Sequence, residues 1–437
     1  MEIMQTLKPF ESIWNFVLLL LVSYPILGAF AWFIGVLCYQ LIYRHRHKDD
    51  IEFQPLTPEE QPFITIMIPA HNEEVMIEHT INYLMNNLNY EKYEVLVTDD
   101  GSTDETPAIL ERLQNVYDNL RVVTIKKNQG KAHAFNVGVG FARGEFILSN
   151  DADSIPEPDA LWKYMSYFMG EEYANTAAVT ANMDVQNRST IIAKSQTVEF
   201  SSIVGVIKRS QVSALGNMYA YSGANTMYRR DALIDVGLFR QDRATEDISI
   251  AWDHQLNGWT TVFSPDILFY MNVPENLDAL YHQRKRWAKG GTEVLLTNFK
   301  RVVSHPGKYL KQWAFITDQT LSIIWSLFFF VSTLIFLISL VTFFFTGNYE
   351  RVYHMFCMAF IFVTFEMFAG VLQLLSALIV DDRGRKFKYL IFMPLYMLIY
   401  WQVNALALVT TLIPAVKTIL GYGSGTWVSP VRKHHTE

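Results

Sequence analysis

Four long apolar runs constrain this chain more than any other feature. They cover Ile13 to Tyr43, Trp313 to Phe345, Val352 to Val380 and Tyr389 to Leu420. Each is long enough to cross a bilayer as a helix, the one open structure that satisfies its own backbone hydrogen bonds in hydrocarbon. Half of the 437 residues are apolar and mean hydropathy is +0.12, values high for a soluble chain. Between the first and second runs lies a polar block large enough for one α/β domain. The organisation expected is an N-terminal anchor over 1–48, a linker over 49–61, a catalytic domain over 62–306, interfacial and transmembrane helices over 307–420, and a tail over 421–437.

Orientation follows from charge. Arg44-His45-Arg46-His47-Lys48 directly follows the first run, so the positive-inside rule puts that end and the polar block in the cytoplasm. Ala29-Phe30-Ala31 faintly imitates a cleavage site, but the apolar run continues past it, so an uncleaved anchor is expected. A cell-membrane, multi-pass protein in contact with lipid is the expected setting. Three further crossings would put the C-terminus outside, with the loop Asp381 to Lys386 inside. The formal charge of −7 offers no basic field for nucleic acid. Cys38 and Cys357 sit inside apolar runs and form neither a disulfide framework nor a metal site.

The polar block alternates strand and helix patterns. Phe63 to Ile68, Tyr93 to Thr98, Arg121 to Ile125 and Glu145 to Leu148 read as strands. Helices are expected over about Val75 to Asn87, from a Ser102 or Thr103 cap to about Val116, and over Ala132 to Arg143. That alternation predicts an α/β fold, a Rossmann-type, largely parallel sheet with its polar residues clustered at the strand ends. Further on, Ala177 to Thr180 reads as a strand, Ile191 to Arg209 as an amphipathic helix and Leu277 to Leu296 as another helix.

Five constellations carry candidate chemistry. Asp151-Ala152-Asp153 closes an apolar strand with two carboxylates, suited to a hard divalent cation and through it a diphosphate, or to a solvated turn. Asp99-Asp100 ends another strand and fits either a nucleoside or a turn. Asn128-Gln129-Gly130-Lys131 allows close backbone approach and a lysine at a helix start, within reach of phosphate or of solvent. Thr245-Glu246-Asp247 is explained either as an N-cap with two acids in the first turn or as the setting of a general base, Asp247. In Gln283-Arg284-Lys285-Arg286-Trp287, helical spacing puts Gln283, Arg286 and Trp287 on one face. A solvated charge run explains Arg284 and Lys285 but not the tryptophan.

These motifs, in this order and between membrane anchors, resemble the processive family-2 glycosyltransferases, the group of cellulose, chitin, hyaluronan and poly-N-acetylglucosamine synthases. The likeness covers nearly the whole chain. Toward the poly-N-acetylglucosamine branch it rests on Val204 to Gln211, Val273-Pro274-Glu275, Gln283 to Leu295 and the tail Gly423 to Pro430, and it is strongest from Ile203 to Leu296. The resemblance implies a GT-A-like domain and an inverting synthase that polymerises N-acetylglucosamine from its uridine-diphosphate donor into a β-1,6-linked polymer and exports it. Hyaluronan-, chitin- or cellulose-like products are the alternatives within the class; a non-catalytic membrane scaffold is the alternative outside it.

By resemblance, Asp99 and Asp100 hold the uridine part. Asp151 and Asp153 hold Mg2+ or Mn2+ with the sugar diphosphate. Asp247 is the base, with Glu246 beside it. Lys131, Ser222 and Gly223 line the donor pocket, Gln283 and Arg286 bind diphosphate, and Trp287 meets the acceptor sugar. The resemblance also implies a small auxiliary membrane protein as partner. The tail pair Thr426-Trp427 resembles segments at the cytoplasmic mouth of such synthases, which conflicts with an outside C-terminus unless one of the last three segments is interfacial.

Overall fold

The computed structural model describes residues 2–46 and 56–422. The tail motif and most of the linker therefore lie outside the described residues. The centre is an eight-stranded sheet: β1 (Ile64–Ala70), β2 (Tyr93–Asp100), β3 (Leu120–Ile125), β4 (Phe146–Ser149), β5 (Ser154–Pro156), β6 (Thr176–Val185), β7 (Thr226–Arg229) and β8 (Thr260–Met271), in the order β3-β2-β1-β4-β7-β6-β8-β5. The first four run parallel, with Ile64 beside both Tyr93 and Phe146. β7 is antiparallel to β4 and β6, and β5 to β8. The sheet is thus mixed and mainly parallel, with the four parallel strands β3, β2, β1 and β4 side by side at one end.

Strict alternation along β1 builds two cores. Ile64, Ile66 and Ile68 pack with Ile77, Ile81 and Leu84 on one face. Met67 packs with Leu96, Phe135 and Ile147 on the other. Every residue of β1 and β2 is buried, as expected of parallel strands covered on both sides.

Helix starts differ from expectation. The helix after β2 runs Thr106–Gln114, and neither Ser102 nor Thr103 caps it; the Asp104 carboxylate receives the Thr106 N–H at 3.0 Å. Ser102 and Thr103 are drawn instead to Asn72, whose N–H donates to the Ser102 hydroxyl and whose side chain receives the Thr103 N–H. These bonds brace the β1 and β2 loops together.

Ile191 to Leu215 is one continuous helical rod, with widened turns over Ser201–Lys208. It is not amphipathic. Glu199, Ser202, Lys208 and Arg209 are buried along with Val198, Val204 and Val206. The rod lies between the sheet and the membrane helices, so both faces are covered. Val206 meets Val36 and Ala377, and the Ser210 hydroxyl donates to the Trp32 carbonyl at 3.1 Å.

Among the described residues, four helices are long and apolar enough to cross a membrane: Asn15–Tyr43, Leu310–Phe345, Tyr349–Val380 and Gly384–Ile419. Directly after the third of them, Asp381 is buried and receives hydrogen bonds from Asn182 on β6 (2.8 Å), Ser201 (3.0 Å) and Lys386 (2.7 Å). The chain therefore returns to the catalytic domain's side at Asp381. Cys38 and Cys357 are both free.

Candidate active site

The site forms where the parallel strands end. Gly130, with φ +100°, turns the chain into the helix Lys131–Phe141. Asp100, at the end of β2, holds that turn: its carboxylate receives the Gln129 N–H at 3.1 Å and the Gly130 N–H at 2.8 Å. Asp99 receives the Ser102 N–H at 3.0 Å. The two aspartates thus shape the loops around the cleft, a role that the nucleoside reading of Asp99-Asp100 did not include.

The Gly130 turn delivers Lys131 into a buried acidic cluster. Its ammonium lies 2.6 Å from Asp151 Oδ1 and 3.1 Å from Glu246 Oε1, with the Gly223 carbonyl at 3.4 Å. Burial alone would lower the Lys131 pKa, but Asp151 and Glu246 together raise it above its ordinary value. It stays charged. Asn150 clamps the Asp151–Asp153 turn, donating to the Asp151 carbonyl at 2.8 Å and the Ser154 carbonyl at 2.9 Å. Ser149 donates to the Gly223 carbonyl, which ties β4 to the Ser222-Gly223 loop.

That loop in turn holds Asp247. The Gly223 N–H donates to Asp247 Oδ2 at 3.1 Å, and the Ile248 N–H to Oδ1 at 2.9 Å. A β-carbon on Gly223 would stand 3.0 Å from Glu246 Oε1 and 3.1 Å from the Lys131 ammonium, so any larger residue here would press on both side-chain ends. Ser222 itself is turned away, its hydroxyl on the Met183 sulfur at 3.0 Å.

Burial, and then the Glu246 carboxylate, push the Asp247 pKa up to about 6; Lys131 and Arg286 offset part of this. Burial also pushes Glu246 upward, but Lys131 and Arg286 outweigh it and hold Glu246 below its ordinary range. Two adjacent carboxylates are thereby driven apart, one a stable anion and one a base near neutrality.

Thr245 precedes the helix Glu246–Leu256, but its hydroxyl makes no capping bond and is buried without a partner among the described residues. The reason is Gly290, on the helix Leu277–Val303. A β-carbon there would lie 2.0 Å from Thr245 Oγ1, so this helix is pressed against the Thr245 turn. Glu293 on the same helix receives the Ala244 N–H at 2.8 Å.

The Leu277–Val303 helix carries Gln283, Arg286 and Trp287. Arg286 is exposed and its charge acts on Lys131, Glu246 and Asp247. Gln283 Oε1 is buried without a partner among the described residues. Trp287 is half-buried against the Met67 core. Arg284 is no solvated charge: it is buried and paired with Glu199. Helical periodicity alone had placed it outside because the opposing helix is invisible to a local pattern.

Sequence reasoning also missed Lys208. It is buried, lacks a hydrogen-bond partner among the described residues, and faces the Phe263 ring at 5.9 Å. Burial lowers its pKa to about 8, against the upward pull of Asp247. The only signal was a lysine inside an otherwise apolar helical run.

Among the described residues, no group of three or more His, Cys, Asp or Glu is placed to hold a metal ion. Asp151 and Asp153 do offer two hard oxygen donors at one turn, with Asp151 partly open to the cleft. That set fits a cation completed by a ligand's own phosphate oxygens and water.

A parallel βα half-sheet, an Asp-x-Asp turn at its strand ends, and a basic carboxylate opposite define a GT-A glycosyltransferase. The chain belongs to the glycosyl transferase family 2, whose sequence model matches residues 65–237 and to which its near-full-length relatives also point. It is 33% identical over 96% of its length to the poly-beta-1,6-N-acetyl-D-glucosamine synthase of Staphylococcus epidermidis, covering 98% of that protein. It is also 33% identical to the enzyme of that name from Staphylococcus aureus strain COL, over 94% of this chain and 97% of that one. Among solved structures it shares the fold of a mannosyltransferase from Pyrobaculum calidifontis, solved with GDP-Man and Mn2+. That match has TM-score 0.50 and 19% identity, and covers 87% of this chain and 99% of the other.

Proposed function

We propose that this protein polymerises N-acetylglucosamine from UDP-N-acetylglucosamine into a β-1,6-linked polysaccharide at the cytoplasmic face of the cell membrane and passes the polymer outward. The observation that carries the reading is likeness at 33% identity along 96% of the chain, membrane helices included, to synthases of that polymer. A likeness confined to the transferase domain would support only the chemistry.

The residues supply an inverting transfer. Asp247 accepts the proton of the attacking acceptor hydroxyl, and its pKa near 6 makes it a stronger base than an ordinary aspartate while leaving it mostly ionised at neutral pH. The Gly223 N–H keeps the carboxylate oriented. Lys131 and Arg286 provide fixed positive charge where the diphosphate leaves, and in a partly buried site that charge is screened little by water. Glu246 holds the Lys131 ammonium from the far side. Asp151 and Asp153 would hold Mg2+ or Mn2+, which supplies further charge neutralisation to the leaving diphosphate. Asp99 and Asp100 order the loops that receive the uridine part. Gln283 adds a contact to the diphosphate, and Trp287 stacks on the acceptor sugar, as aromatic rings do on the apolar face of a pyranose.

The direct test offers purified protein UDP-N-acetylglucosamine alone. The expected result is a long product cut by a β-1,6-specific hexosaminidase. A strict requirement for a second donor sugar, or a product resistant to that enzyme, overturns the reading. A small membrane protein as partner is part of the same proposal; co-purification from the native membrane tests it.

A further inference from the structure

Two helices face each other beneath the active site, Ile191–Phe200 and Leu277–Val303. Glu199 projects from the first and Arg284 from the second. The Arg284 guanidinium donates to Glu199 Oε2, and the two side chains are only 3% and 1% exposed. One turn further along, the indole of Trp287 lies against the same guanidinium, 4.1 Å from ring centroid to Cζ. That is stacking contact.

Packing alone does not call for this arrangement. A buried ion pair seldom outperforms two apolar side chains of similar volume. This one is also incompletely satisfied: Arg284 Nε and Nη1 and Glu199 Oε1 have no hydrogen-bond partner among the described residues. What an arginine provides here, and a lysine or methionine does not, is a flat cation that can lie over an aromatic ring.

An indole has two faces, and the guanidinium occupies one. A sugar can therefore stack only on the other. We propose that Glu199 and Arg284 are positioning residues for the acceptor: Glu199 fixes the Arg284 guanidinium, and Arg284 fixes the plane of Trp287, so that its remaining face takes the terminal sugar of the growing polysaccharide. The inference rests on the polymerase reading above. It assigns the pair to acceptor binding alone, since among the described residues no hydrogen bond or ion pair joins either residue to Lys131, Asp151 or Arg286.

The test compares the full-length enzyme with E199L/R284M, which replaces the pair by apolar side chains, and with R284K, which keeps the charge but not the flat stack. Melting temperature in detergent, KM for UDP-N-acetylglucosamine and apparent KM for a short β-1,6-linked N-acetylglucosamine acceptor are measured for each. Both variants are expected to fold and to keep the donor KM within about twofold. The acceptor KM should rise at least fivefold, with shorter product. Parent-like acceptor KM and product length in folded E199L/R284M would show the pair to be only a tie between helices and overturn the proposal. An equal rise of donor and acceptor KM would do the same. Should E199L/R284M fail to fold, R284K decides by the same readings. A parent enzyme that makes no polymer sinks the polymerase reading itself, and the inference with it.

Discussion

The Lys131 ammonium stands 2.6 Å from Asp151 Oδ1. This contact joins two strand-end motifs twenty positions apart in the chain, and Glu246 completes it from a third element at 3.1 Å. Lys131 is therefore the neutraliser of its acidic surroundings, and in the proposed function it is also the positive wall of the donor site. Removing it leaves Asp151 and Glu246 without their cation. Breaking such a buried pair from one side costs about 3–5 kcal/mol. Lys131→Met is expected to lower the melting temperature and to weaken UDP-N-acetylglucosamine binding at least tenfold. Calorimetric titration of the detergent-solubilised protein measures the second effect; donor affinity equal to the parent's contradicts the placement of Lys131 in the donor site.

Asp247→Asn should abolish polymer synthesis by roughly 10²–10⁴-fold, the usual contribution of a general base. Donor binding should persist, because the asparagine keeps the acceptor oxygen for the Gly223 N–H. Radiolabelled polymer yield and equilibrium binding separate the two effects. Unchanged yield would remove Asp247 from the mechanism.

The pH profile carries a sign. Asp247 works as a base only when ionised, and its folded pKa is raised to about 6. Polymer synthesis at saturating donor should therefore fall as pH drops through about 6, with a slope of one proton, and the Asp247→Glu variant should show a displaced limb. A profile flat down to pH 5 argues against Asp247 as the base.

The same shift links to stability. A folded pKa above the unfolded value means that folding favours the protonated form, so this contribution is full below the unfolded pKa and is lost as pH rises through about 6. Burying the anion at neutral pH costs roughly 3 kcal/mol. Asp247→Asn should accordingly melt higher than the parent at pH 7.5 and show a smaller difference at pH 5. A lower melting temperature at pH 7.5 would mean that the anion's hydrogen bonds outweigh its burial.

Gly290→Ala should be severe for so small a change. Its β-carbon would lie 2.0 Å from Thr245 Oγ1 and 2.7 Å from Thr245 Cβ, so the Thr245 turn must move. Overpacking of this kind costs about 1–3 kcal/mol, and here it displaces the base two residues on. The expected signature is a fall in kcat larger than the loss in stability, partly rescued by Thr245→Gly. Full activity in Gly290→Ala would show that the turn gives way without moving Asp247.

The sequence by itself determined the layout: which stretches suit a bilayer, that the polar block alternates strand and helix, and that acids cluster at strand ends. Those features are local, because apolar run length, period and strand-end chemistry are written within a few neighbouring residues. It also marked Asp151, Lys131, Asp247 and Arg286, whose types suit phosphate and proton chemistry. The tertiary structure decided what each acid does. Asp247 and Glu246 are adjacent and chemically alike, yet one is raised and the other lowered, because Lys131 arrives on Glu246 from another strand end while burial and the Glu246 charge weigh on Asp247. It likewise turned Asp100 into a clamp for the Gly130 turn, left the Thr245 hydroxyl uncapped, and buried Glu199, Lys208 and Arg284 between two layers. Such outcomes depend on side chains tens to hundreds of positions apart in sequence, and electrostatics and close packing act on distance in space, which a one-dimensional pattern does not contain.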